Sequence, residues 1–270
     1  MKIRALLSAV AGLAAIAFIA TPAAARVVTK TVPYQHEGKT LQGYLAYDDA
    51  KKGPLPGVLV VHEWWGLNDY TKSRTRQLAE MGYAAFAADM YGDGKTTRDP
   101  KEAQAWSSAA GSQPGHLAVL AKAGLDVLRK QSNVDDDKLA AIGFCFGGTT
   151  VLQLAYAGVP LKAAVTFHGG LVVPDEKQAV KIRAPILILH GAEDTFIKPE
   201  TIDGLRKALD AVKVDWYMVT YANAVHAFTN PEADSFKIPG IGYNEKAARR
   251  SWDEMQRFFA EQQLAPPRAR

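Results

Sequence analysis

The most constraining feature of this chain is a cysteine held between glycines at a strand-to-helix junction. Residues 139–148 read Leu-Ala-Ala-Ile-Gly-Phe-Cys-Phe-Gly-Gly. An apolar run enters this segment, and the pattern from Thr149 to Ala157 leaves it as a helix. Gly143 and Gly147 stand two positions either side of Cys145, where a turn this tight has no room for side chains. Such an elbow lifts the cysteine to the N-terminus of the following helix, whose unpaired backbone N–H groups favour a thiolate and a developing oxyanion. A buried structural cysteine is the bland alternative for a lone thiol. The glycine spacing, the strand before and the helix after favour the elbow.

The rest of the chain has the alternation that such a junction requires. Val27–Val32 and Leu41–Tyr47 read as strands about a turn at Glu37-Gly38-Lys39. Short apolar runs follow at Pro56–His62, Tyr83–Ala88, Leu139–Phe144, Ala163–Phe167, Pro185–His190 and Val214–Val219. Helical patterns fall at Tyr70–Met81, Gly115–Gln131, Thr149–Ala157, Glu200–Val212 and Asn244–Gln262. Buried strands alternating with helices predict an α/β fold, a mostly parallel sheet covered on both faces. Nothing divides residues 26–270, so they read as one domain. Gly92–Pro114 is polar and shows no strand; it reads as a cap over the site or as a surface connection.

The first 25 residues carry a different message. Lys2 and Arg4 precede an uncharged, mostly apolar stretch from Ala5 to Ala20, and Thr21-Pro22-Ala23-Ala24-Ala25 follows. A basic start, a short apolar segment and an Ala-x-Ala site form a secretory signal, expected to be cleaved after Ala25. The run is short for a membrane anchor. The expectation is therefore a periplasmic or secreted bacterial protein, a monomer with no membrane association after cleavage. With 32 Lys and Arg against 28 Asp and Glu, and no basic block, nucleic acid is not an expected partner. One cysteine excludes an internal disulfide and a four-cysteine metal site.

A nucleophilic thiol needs a base, and the base an orienting group. In sheets of this kind chemistry gathers at the carboxyl ends of the strands. Asp194 follows the run Pro185–His190, and His226 follows Val214–Val219, giving the chain order nucleophile, acid, histidine. His226 would take the thiol proton and later activate water, with Asp194 fixing its tautomer. A turn-forming acid and a surface histidine are the competing readings. His62, His168 and His190 also fall near strand ends and are assigned to structural hydrogen bonding. His62-Glu63 invites a zinc reading, but no histidine follows at His-Glu-x-x-His spacing, so neither a metal nor an organic cofactor is expected.

Together these residues resemble the dienelactone hydrolase family of the α/β-hydrolase superfamily, over nearly all of the chain from Val28 onward. The marks are Glu63 after the third strand, Gly-Phe-Cys-Phe-Gly-Gly at 143–148, His-Gly-Ala-Glu-Asp at 190–194 and His-Ala-Phe at 226–228. The resemblance implies Cys145 as nucleophile, Asp194 and His226 as its partners, Glu63 as a fourth catalytic residue, and the backbone N–H groups of Phe146 and Trp64 as the oxyanion hole. It also implies a resting thiol kept protonated by a hydrogen bond to Glu63, which substrate displaces. A carboxylate beside a thiol disfavours the thiolate, so the same contact would slow its oxidation.

Two positions depart from the family pattern. Members acting on dienelactone carry two arginines that hold its carboxylate; Asp93 and Asn230 stand in those places here. Losing bidentate carboxylate contacts penalises an anionic substrate by several kcal/mol, unless Arg98 reaches in from its loop. Trp65, Tyr91, Phe144 and Phe228 are expected to line an apolar substrate pocket with Trp64 and Phe146. The expected activity is acyl-enzyme hydrolysis of a small lactone or ester. A thioesterase or acyltransferase using the same trio, or a non-catalytic small-molecule binding protein, is the rival.

Overall fold

The structure, a computed structural model, describes residues 26–266; the expected signal segment lies outside them. Eight strands build one sheet: β1 (Val27–His36), β2 (Lys39–Asp48), β3 (Leu55–Val61), β4 (Ala84–Ala88), β5 (Val134–Phe144), β6 (Ala163–Phe167), β7 (Ile186–Gly191) and β8 (Trp216–Tyr221). Their order is β1-β2-β4-β3-β5-β6-β7-β8. β1 and β2 form a hairpin paired along its whole length, and β2 meets β4 antiparallel. Every other pairing is parallel. Among the described residues seven α-helices accompany them: α1 (Asp69–Glu80), α2 (Pro100–Ala110), α3 (His116–Arg129), α4 (Phe146–Tyr156), α5 (Glu176–Ala179), α6 (Pro199–Ala211) and, after the last strand, α7 (Glu245–Glu261).

β3, β4 and the second half of β5, Leu139–Phe144, are apolar at every position because both faces of the sheet are covered. Successive side chains alternate between faces, and the packing follows that period. Leu55, Leu59 and Val61 of β3 join one core with Leu117, Leu125 and Leu128 of α3, Leu152 and Leu154 of α4, and Leu205 and Leu209 of α6. Val58 and Val60 join the other, with Leu78 of α1 and Met255, Phe258 and Phe259 of α7. Each such side chain contributes roughly 1.5–3 kcal/mol of burial.

Several boundaries differ from the sequence reading. β1 runs past Pro33 to His36 because it is an edge strand, and its ladder to β2 tolerates a proline. β5 begins at Val134, before the half-buried Asp135 and the exposed Asp136 and Asp137, with a register shift opposite Pro56 and Gly57. α4 begins at Phe146 rather than Thr149. The polar stretch 92–114 holds α2, capped by Asp99, whose carboxylate accepts from the Lys101 N–H, with Pro100 in its first turn.

Candidate active site

β5 ends at Phe144 and α4 begins at Phe146, so Cys145 makes the whole turn, with φ 53° and ψ −115°. That conformation is strained for a side-chain-bearing residue and persists only where the surroundings dictate it. They do so through the glycines. A Cβ on Gly143 would stand 2.1 Å from the Gly147 carbonyl oxygen, and one on Gly147 would stand 2.2 Å from the Val61 carbonyl oxygen. The Cys145 N–H is shared between the Phe167 carbonyl oxygen at 3.0 Å and His168 Nδ1 at 3.2 Å. His168 Nε2 then donates to Thr229 Oγ1 at 2.7 Å. Burial holds His168 far below the usual histidine pKa, matching this neutral tautomer.

His226 sits in the loop after β8, fixed by backbone hydrogen bonds to Gly240 and Gly242. Its Nδ1 lies 2.8 Å from Asp194 Oδ2, and both residues are buried. Asp194 Oδ1 accepts from the Phe196 N–H at 3.0 Å. A carboxylate only accepts, so the Nδ1 proton belongs to His226 and Nε2 is left for the cleft. Burial opposes a positive charge on His226, yet the Cys145 sulfur and the Asp194 carboxylate outweigh it and raise its pKa. Cys145 and His226 line the same cleft.

Glu63 follows β3 and is 1% exposed. Its Oε2 accepts from Asn230 Nδ2 at 2.7 Å, while Oε1 is buried without a hydrogen-bond partner. Desolvation pushes its pKa up to about 7, against the Asn230 hydrogen bond and the charges of His226 and Arg74. Asn230 thus holds the acid in place, and the expected Glu63–sulfur hydrogen bond is not formed in this structure. His62 is buried, with Nδ1 on the Glu63 carbonyl oxygen and Nε2 accepting from the Met90 N–H. Asp89 organises the adjoining turn, its carboxylate accepting from the N–H groups of Gln42, Tyr91, Gly92 and Gly94. His190 makes no side-chain hydrogen bond among the described residues, unlike His62 and His168.

The cleft over Cys145 measures about 370 Å³. Its apolar walls include Trp64, Phe146, Phe196, Ile197, Ile238 and Ile241; Gln104 and Ser107 of α2, with Thr149, add polar groups. No Asp, Glu, Lys or Arg lines it among the described residues. The segment around α2 is therefore a wall of the site. Trp64 and Phe146 lie where the sequence suggests, but the other four aromatics do not line the cleft. Phe144 and Phe228 are wholly buried. Trp65 stacks on Phe236 at 4.1 Å. Tyr91 stands behind the wall, its hydroxyl donating to the Trp64 carbonyl oxygen at 3.0 Å. Alternation explains Phe144, which shares a face of β5 with Ala140 and Ile142 and packs into the same core cluster as they do. Arg98 points elsewhere too, donating to Glu232 at 2.9 Å and to Ser235 at 2.8 Å. Asp93 is exposed and outside the cleft lining.

A mostly parallel sheet with a glycine-framed cysteine turn between strand and helix, beside a buried acid–histidine pair, defines an α/β hydrolase. Residues 41–263 match the dienelactone hydrolase family, and the chain belongs to that family. It is 31% identical to a Yersinia pestis protein named as a carboxymethylenebutenolidase, over 86% of both chains. An Escherichia coli K12 protein of the same name is 30% identical over 83% of both. Among solved structures, a dienelactone hydrolase-like promiscuous phosphotriesterase from metagenomic libraries superposes with a TM-score of 0.85 at 41% identity, covering 89% of this chain and 99% of that one. A Klebsiella pneumoniae protein named as a dienelactone hydrolase gives 0.73 at 28% identity, covering 87% of this chain and 99% of that one.

Proposed function

We propose that this hydrolase is exported and cleaves small, uncharged esters or lactones through a thioester on Cys145. His226 Nε2 takes the thiol proton as sulfur attacks the carbonyl carbon. The N–H groups of Phe146 and Trp64 receive the oxyanion, and Phe146 suits this role because the first amides of a helix have no intrahelical acceptor. Collapse expels the alkoxide, which regains the proton from the imidazolium; in a lactone it stays tethered to the acyl group. Water, deprotonated by His226, then attacks the thioester and releases acid and thiol. Asp194 keeps Nε2 available in both halves. Glu63, poised near neutrality, is one hydrogen bond away from an alternative partner, and a rotation off Asn230 would bring it into the reaction.

The observation that carries this reading is the Asp194–His226 pair at 2.8 Å beside a strained Cys145. The neutral lining of the cleft supports the choice of substrate. Asn230 is committed to Glu63 and Arg98 to Glu232, so neither offers a carboxylate clamp. The same neutrality suits a phosphotriester, uncharged and electrophilic at phosphorus, and the relative at 41% identity is named for that activity. Steady-state hydrolysis of a neutral aryl acetate, of dienelactone and of a neutral phosphotriester, each beside Cys145→Ala, tests the proposal. Cysteine-dependent turnover of the acetate with little on dienelactone is expected. Turnover that survives Cys145→Ala would remove the sulfur from the mechanism, and equal rates on dienelactone would overturn the neutral preference. A burst without turnover would instead mark a binding protein, and product transfer to added alcohol an acyltransferase.

A further inference from the structure

A second cavity, of about 120 Å³, shares α2 with the catalytic cleft. Gln104 and Ser107 face the cleft, whereas Trp106, Ala109 and Ala110 face this cavity. It forms where the tip of the β1–β2 hairpin meets the corner between α2 and α3. His36 and Lys39 come from the hairpin, Lys95 from the loop after β4, and His116 from the first turn of α3.

Hydrogen-bond bookkeeping fixes the charge here. His116 Nδ1 lies 2.8 Å from the Ala110 carbonyl oxygen, and Nε2 lies 3.0 Å from Glu37 Oε2. Both partners only accept, so both ring nitrogens carry protons and His116 is a cation. The Glu37 carboxylate, first, and the Ala110 carbonyl both raise its pKa accordingly. That pairing neutralises Glu37. Lys39 and Lys95 remain without a carboxylate partner among the described residues. His36 Nε2 is buried with no hydrogen bond, 3.8 Å from Glu37 Oε1. The unpartnered His36 ring nitrogen and two spare ammonium groups thus share a small cavity, beside the His116-paired Glu37, with an aromatic wall of Tyr91 and Trp106 and an apolar floor of Leu41, Met90 and Leu120.

We propose that this cavity binds a small monocarboxylate with a compact apolar body, about the size of benzoate, its carboxylate meeting Lys39, Lys95 and His36 and its body meeting Tyr91 and Trp106. Inorganic phosphate fits poorly, since the apolar wall would face a strongly hydrated dianion. The site does not depend on the chemistry proposed for Cys145. Tyr91 also supports Trp64 through its hydroxyl, so the test variants leave Tyr91 intact.

The experiment is isothermal titration calorimetry of benzoate, and of neutral benzamide, at constant ionic strength. Saturable one-to-one binding of benzoate is expected, weakened about tenfold or more in Lys39→Gln/Lys95→Gln and for benzamide. Both lysines are exposed, and an unchanged urea midpoint will show that the variant is folded. Equal benzoate affinity in the two proteins would place the carboxylate elsewhere, the catalytic cleft included, and overturn the proposal. Benzamide binding as tightly as benzoate, or no saturable binding, would overturn it as well.

Discussion

Glu63→Gln should change how the stability of this protein depends on pH. The carboxyl is 1% exposed and its pKa stands at about 7 against an ordinary 4.5. An acid raised in the folded state holds its proton more tightly there than in the unfolded chain. Between about pH 4.5 and 7 the unfolded state therefore binds fewer protons, and folding stability falls as pH rises through that window. The gap of about 2.5 units corresponds to about 3 kcal/mol, fully lost above the folded pKa. Glutamine keeps the acceptor for Asn230 but carries no charge, so it escapes this cost. It also puts an amide N–H where Oε1 has no partner, a pH-independent penalty of roughly 1–3 kcal/mol. The quantity to read is thus the change in the wild-type-to-variant difference, not its absolute value. Urea unfolding at pH 4, 5, 6, 7 and 8, analysed by linear extrapolation, measures it. The variant should gain about 3 kcal/mol on wild type between pH 4 and pH 8. Parallel stability curves over that range would refute the argument that burial, rather than the neighbouring charges, controls Glu63.

Asp194→Asn should leave the fold intact but lower kcat on a neutral aryl ester by on the order of 10⁴-fold, because an amide cannot hold the tautomer with Nε2 free; initial-rate kinetics will show it. Asn230→Leu removes the donor to Glu63 and should destabilise the protein by about 1.5–3 kcal/mol at pH 8, where the acid is charged, and by less at pH 5, as read from urea midpoints. Gly147→Ala puts a methyl group against the Val61 carbonyl oxygen and should cost about 3 kcal/mol in urea unfolding or abolish soluble expression.

What the sequence revealed tracks how tightly a residue is bound by a local rule. The inner strands are legible because burial on both faces leaves runs such as Val58–Val61 with no polar interruption. The elbow is legible because close backbone approach at Gly143 and Gly147 admits only glycine. α2 escapes the periodicity because only Ala103 and Ala110 of its eleven residues are buried, leaving no apolar stripe; its signal is the Asp99-Pro100 start. α4 begins early for the opposite reason: Gly147 and Gly148 are poor helix formers, and packing against β3 and β6 overrides propensity. The walls of the cleft were hidden because Phe196, Ile197, Ile238 and Ile241 sit in loops, where alternation assigns no direction. Asn230 reads as a lost arginine until its amide is seen on Glu63. The expectation of a Glu63–Cys145 contact fails on that same bond.

β6 supplies none of the three residues assigned to the chemistry, yet it acts as their ruler. It lies between β5, which delivers the cysteine, and β7, which delivers the aspartate. Two inter-strand steps separate those deliveries by about 10 Å. That distance is quantised by backbone pairing and does not yield to side-chain substitution, so the histidine loop after β8 must double back across it. Adjustment of the trio is confined to loop lengths, and a strand inserted or lost beside β6 would erase the site in one step.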